Sequence, residues 1–226
     1  MIEVRNLSKI FIDKKLFNDV NLKFSEGNTY GIIGANGAGK STFLKILSKE
    51  IEASSGEVFV DKGQRISSLD QDHNKYNNVN VTDLVVMGNM DLFRIQEEKN
   101  AIYINPDATE ADYTRASELE EEFGAKGGWS AENDAQILLD ALGIPKEKFS
   151  MQMKDLKSGE KVKTILAKAL FGNPDILIMD EPTNHLDMRA IKWLENFIIE
   201  YDKIVIVVSH DSDFLDNICT NIVDID

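Results

Sequence analysis

Apolar and polar residues alternate in short runs along the first sixty positions. Ile2–Asn6, Val20–Phe24, Thr29–Ile33 and Glu57–Val60 read as strands. One helix stands between the last two, with Phe43, Leu44 and Leu47 on one side. From Val81 to Leu142 the period becomes helical, charge rises and β-branched runs thin out. The spacing predicts helices over Val81–Asn100, Thr109–Phe123 and Ala131–Leu142, broken at Asn105-Pro106 and at Gly124 to Gly128, with Ser130 placed to cap the third. After Ile144-Pro145 helices and strands alternate again. A helix over Gly159–Phe171 ends before Asn173-Pro174, then come a strand Asp175–Asp180, a helix Met188–Glu200, a strand Lys203–Ser209, a helix Asp211–Ile218 and a last strand. Short apolar strands alternating with helices predict an α/β fold on a mostly parallel sheet. Residues 1–80 and 144–226 are the expected core and 81–143 a helical subdomain.

Composition narrows this picture. The 226 residues suffice for one large domain, and no apolar run approaches the ~20 residues of a membrane span. The N-terminus enters an alternating strand directly, so no signal peptide is expected. The lone cysteine, Cys219, excludes a disulfide framework and is expected to be a buried structural thiol, which fits a cytoplasmic protein. A formal net charge of −14, with no basic stripe, argues against a broad nucleic-acid surface. Arg94, Lys99 and Arg115 are expected to be solvated on helical faces.

The densest chemistry lies in Gly34-Ala35-Asn36-Gly37-Ala38-Gly39-Lys40-Ser41, which matches every fixed position of the phosphate-binding P-loop and sits between a strand and a helix. Such a loop wraps a nucleoside triphosphate with backbone N–H groups, assisted by the helix N-terminus. Gly34, Asn36, Gly37, Gly39 and Thr42 belong to this cradle. Lys40 is placed for the β- and γ-phosphates and the Ser41 hydroxyl for Mg²⁺. The apolar strand Ile176 to Met179 ends in Asp180 and Glu181, and charge at a buried strand tip is costly unless something uses it. Asp180 fits a Mg²⁺ ligand and Glu181 a base that orients water. A second apolar strand, Val205 to Val208, ends in Ser209-His210-Asp211, where His210 is placed to donate to a phosphate or to the attacking water.

These residues carry a family resemblance. The run Asp180-Glu181-Pro182-Thr183-Asn184-His185-Leu186-Asp187, with Ser209-His210-Asp211, resembles ATP-binding cassette proteins, and its Glu-Pro-Thr-Asn-His-Leu-Asp wording resembles the ABC-F family. Gly128-Trp129-Ser130-Ala131-Glu132 and Gly143-Ile144-Pro145 are similar to its YbiT-like branch. The resemblance implies an ABC nucleotide-binding domain: a mostly parallel core, an antiparallel β-subdomain and a helical subdomain with an arm insertion near 87–123. It implies that Phe11 stacks on adenine and that Gln71 contacts Mg²⁺ and the γ-phosphate. The signature Leu-Ser-Gly-Gly-Gln/Glu is altered to Leu156-Lys157-Ser158-Gly159-Glu160. In the family that loop, with the D-loop residue Asp187, serves the ATP held by a facing cassette. Lys157 either adds a point charge to the phosphate site or misplaces the loop, and two unequal ATP sites are expected.

The function this implies is binding and hydrolysis of MgATP by the N-terminal half of a tandem-cassette ATPase. Its partner would be a second cassette, in the same chain or a second copy, and its closed form would engage the ribosome through rRNA or tRNA. Two alternatives stay open: the nucleotide-binding subunit of a membrane transporter, and a cassette that binds ATP as a dimerisation scaffold with little turnover.

Overall fold

Apolar residues run unbroken through Ile176–Met179 of β6 (Ile176–Asp180) and through all of β7 (Ile204–Val208), because both faces of a parallel strand are covered. The computed structural model describes residues 1–11 and 14–225. In chain order the other elements are β1 (Ile2–Phe11), β2 (Lys14–Phe24), β3 (Asn28–Gly34), α1 (Lys40–Leu47), β4 (Ser55–Val60), β5 (Ile66–Ser68), α2 (Val81–Val86), α3 (Met90–Ile104), α4 (Glu110–Ala125), α5 (Ala131–Ala141), α6 (Ser158–Leu170), α7 (Met188–Ile199), α8 (Ser212–Ile218) and β8 (Asn221–Ile225). They form two compact units, residues 1–71 with 173–226, and residues 72–172.

The first unit holds both sheets. One is antiparallel in the order β2-β1-β4, and the other is parallel in the order β5-β6-β7-β3-β8. Strands β1 and β2 run well beyond the predicted Ile2–Asn6 and Val20–Phe24. Asn6 (φ 48°) and Asp19 (φ 55°) adopt left-handed backbone at register shifts between the two, and such bulges interrupt the period of two that marks a strand in sequence. β5 has three residues and a single apolar one, too little for a pattern. The core of this unit packs Phe17, Phe24, Phe43 and Leu47 with Ile32, Ile178 and Ile206. Cys219 is half-buried rather than sealed, and burial, reinforced by the Asp216 carboxylate, pushes its thiol up to about 11.

The second unit is helical and reaches from residue 72 to 172, so it takes in 144–172, which the sequence pattern placed with the α/β core. The single helix expected over Val81–Asn100 is two. Asn80 caps α2, accepting from the Thr82 and Asp83 N–H groups at 2.9 and 3.3 Å, and Asn89 opens α3 by accepting from the Leu92 N–H at 3.3 Å. Gly88 stands at the break, where a Cβ would lie 2.0 Å from the Lys168 carbonyl oxygen of α6. Close approach of the two backbones decides the break there, and helical periodicity cannot report it. Thr109 and Asp112 form a reciprocal capping box on α4. Ser130, by contrast, does not cap α5. It closes a 3-10 turn, Gly128–Ser130, with helical φ and ψ, and its hydroxyl turns to the Gly127 carbonyl and the Asp134 carboxylate.

Lys99 is also corrected. It is 8% exposed, with Nζ 4.3 Å from the Phe123 ring centroid and 4.6 Å from that of Trp129. Arg115 is engaged by Glu98, Glu118 and Glu122, while Arg94 is exposed as expected. Gly88→Ala should destabilise the protein by about 2 kcal/mol or more, because the clash is with backbone rather than a flexible side chain. Urea denaturation of the variant measures it, and an unchanged midpoint would show that α6 yields freely.

Candidate functional site

The parallel register aligns three strand ends. Asp180 of β6 pairs with Val208 of β7, and Val208 with Ile32 of β3, so the segments after each strand leave from one edge of the sheet. In open parallel sheets this carboxyl edge is where ligands bind. Between β3 and α1 the chain turns with left-handed φ at Gly34 (141°), Gly37 (78°) and Gly39 (109°). A Cβ on Gly34 would meet the Ile225 carbonyl oxygen at 2.3 Å, so the loop passes β8 too closely for a side chain. Lys40 opens α1, is 8% exposed, and donates from Nζ to the Gly34 and Ala35 carbonyls at 2.8 and 3.1 Å. Its ammonium is thereby held in the bowl of the loop, beside the first-turn N–H groups of α1, which have no partner within the helix.

Across the cleft, Gln71 Nε2 donates to Asp180 Oδ2 at 2.6 Å. Glu181 has left-handed backbone (φ 53°), unusual for a residue with a Cβ, and its N–H is fixed on the Val208 carbonyl at 2.8 Å. Its Oε2 accepts from the His210 N–H at 3.2 Å. Its Oε1 is sealed from bulk solvent and has no hydrogen-bond partner among the described residues. His210 Nε2 stands 3.6 Å from that oxygen, beyond hydrogen-bond range. A buried acceptor left without a partner costs about 1–3 kcal/mol.

These groups line one cleft of about 340 Å³. Asn36, Gly37, Gly39, Lys40, Ser41 and Thr42 form one wall, while Gln71, Asp180, Glu181 and His210 form the other. Gly34 lies under the loop as an acceptor for Lys40. The cleft also takes in Leu16 and Val208, which sequence reasoning missed because nothing distinguishes them from core residues. Phe11 is not among the lining residues. It sits at the end of β1, 50% exposed, with Lys9 Nζ 4.9 Å from its ring centroid. Asp187 caps α7, accepting from the Ala190 N–H at 2.9 Å. One carboxylate beside a serine hydroxyl suits Mg²⁺, which takes oxygen ligands and is commonly shared with phosphates.

The segment Lys157 to Glu160 belongs to the helical unit. Lys157 is the N-cap of α6, and Lys157 and Ser158 are exposed. Ser158 has ordinary helical backbone, so its Cβ brings no strain. Glu160 is occupied locally: Oε2 accepts from the Lys157 N–H at 3.0 Å, and Lys148 Nζ donates to both carboxylate oxygens at 2.7 and 2.8 Å. Burial alone would raise this carboxyl. The Lys148 and Lys157 hydrogen bonds and charges outweigh it, and hold the group below its ordinary 4.5.

A family profile described as "ABC transporter" matches residues 17–184. The chain is 54% identical over its whole length to an uncharacterised ABC transporter ATP-binding protein, YkpA, of Bacillus subtilis, and covers 42% of that protein. It is 42% identical over its whole length to the probable ATP-binding protein YbiT of Escherichia coli O157:H7, and covers 43% of it. The chain thus spans about two-fifths of the length of these relatives. Among solved structures, the dimeric post-hydrolysis state of the ATP-binding cassette MJ0796 bound to ADP and Pi superposes with a TM-score of 0.72 at 21% identity, covering 100% of this chain and 94% of that one. Among the described residues, no helix is long and apolar enough to cross a membrane.

Because the folded protein lowers the Glu160 carboxyl, its ionised form contributes stability above pH 4.5, and the contribution is lost as pH falls through the lowered value. Glu160→Gln should therefore cost about 1 kcal/mol at pH 7 and progressively less toward pH 3. Denaturant titrations at the two pH values test this, and a pH-independent difference would contradict it.

Proposed function

The chain belongs to the ABC transporter family of ATP-binding cassettes, whose members hydrolyse ATP, and on that premise we propose that its cleft binds MgATP as part of an ABC-F-type ATPase of the cytoplasm. The observation that carries the reading is the sealed, unpartnered Glu181 Oε1 set in the same cleft as Lys40 and Asp180. Gly34, Asn36, Gly37, Gly39 and Thr42 present backbone to the phosphates, and Lys40 exchanges its two carbonyl partners for phosphate oxygens. Ser41, Asp180 and Gln71 would hold Mg²⁺, which neutralises charge on the phosphates. Glu181 Oε1 accepts a proton from the attacking water. His210, whose backbone N–H steadies the same carboxylate, lies close enough to orient that water with Nε2. Phe11, the last residue of β1, is exposed and available to an adenine ring.

The second cassette is inferred from the exposed Lys157 and Ser158 with the half-buried Gly159, a helix start of the kind that binds anions, and from Asp187. Similarity to a dimeric cassette supports such a partner, either in a longer chain or as a second copy. Engagement of the ribosome rests on the Glu181-Pro182-Thr183-Asn184-His185-Leu186-Asp187 wording and the likeness to YbiT. The transporter reading keeps one support, the family description itself.

Glu181→Gln should lower ATP turnover at least about 100-fold while ATP affinity stays within a few-fold. Parallel loss of affinity would assign Glu181 to binding instead. In a full-length protein carrying this substitution in both cassettes, ATP-dependent co-sedimentation with ribosomes is expected. Failure to pellet in ATP and ADP alike, with recovery of a membrane partner, would establish the transporter reading.

A further inference from the structure

Helices α3 and α4 pack on each other and are joined by the short link 105–109, with Arg115 reaching Glu98 and the Tyr103 hydroxyl donating to Glu120. This places Tyr113, in the first turn of α4, at the same end as Tyr103 and Ile104, the last residues of α3. That end is uncovered: Ile104 is 79% exposed, and Tyr103 and Tyr113 are each 50% exposed. An exposed isoleucine flanked by two tyrosines has the composition of an interface centre.

The charge of the pair selects the partner. Between Met90 and Ala125 ten carboxylates stand against three cations. Two of those cations are taken up internally: Lys99 lies between the Phe123 and Trp129 rings, and Arg115 is bound to Glu98, Glu118 and Glu122. Arg94 is the remaining one, four residues from the start of α3 rather than at the apolar end. Such a surface repels phosphate, whose binding needs lysine and arginine. It attracts basic side chains, which can also stack on the tyrosine rings. We propose that the end of the α3–α4 pair docks on a basic protein surface, with Ile104 seated in an apolar socket and Tyr103 and Tyr113 meeting lysine or arginine around it. The proposal does not depend on the ribosomal reading.

Fluorescence anisotropy of the 226-residue protein tests it with three labelled probes at 100 mM salt: a twenty-residue amphipathic leucine–lysine peptide, a lysine–serine peptide of equal charge, and a twenty-nucleotide RNA. The leucine–lysine peptide should bind more tightly than either other probe. Ile104→Ser with Tyr113→Ser should weaken it at least fivefold, with the melting temperature unchanged. A second variant, Asp107→Asn with Glu110→Gln, removes charge at the same end and should also weaken it. Equal binding of both peptides, tighter binding of RNA, or wild-type affinity in both variants would overturn the proposal.

Discussion

In the parallel sheet Asp180 stands beside Val208 and Val208 beside Ile32, and the chemistry of the cleft depends on that alignment. Each strand is an apolar run that releases its chain at the same edge into polar residues: a glycine loop and Lys40 after β3, Glu181 after β6, His210 after β7. A slip of one residue in β6 would turn Asp180 to the opposite face and carry Glu181 off its anchor on the Val208 carbonyl. The strands are buried on both faces, and such a slip would draw the Asp180 carboxylate into their apolar surroundings. The core therefore holds the geometry of a site that is costly in itself, with a left-handed Glu181 and an oxygen left without a partner.

The helical unit solves a similar problem differently. There the start of α6 completes its own electrostatics: Lys148 and the Lys157 N–H satisfy Glu160, leaving Lys157 and Ser158 facing solvent. The exposed residues at this helix start are thus separate from the one that stabilises it. Exchanging Lys157 for another side chain keeps the backbone N–H that Glu160 accepts and removes only the charge of the ammonium beside it.

Much of this was legible in the sequence where chemistry and local geometry coincide. Glycines 34, 37 and 39 announce left-handed turns, and the spacing to Lys40 announces a tight strand–loop–helix turn, whose carbonyls the Lys40 ammonium meets. The carboxylates after β6 and the histidine after β7 are signalled by apolar runs ending in charge. The rest depended on long-range packing. Gly88 reads as one residue inside a helical pattern, and only the Lys168 carbonyl explains why the helix stops there. Lys99 looks like a surface cation until Phe123 and Trp129 close on it. Ser130 has the identity of a cap without its backbone, since a 3-10 turn runs directly into α5. Leu16 and Val208 border the cleft with no distinguishing mark in the sequence.

The most direct measurement is calorimetric titration of MgATP into the 226-residue protein and into its Lys40→Ala variant, with circular dichroism to establish that both are folded. One nucleotide should bind per chain, with an affinity at least about tenfold weaker in the variant, the loss of one charge-assisted contact. Equal affinity in the two proteins would place the nucleotide outside the cleft and contradict the role assigned to it.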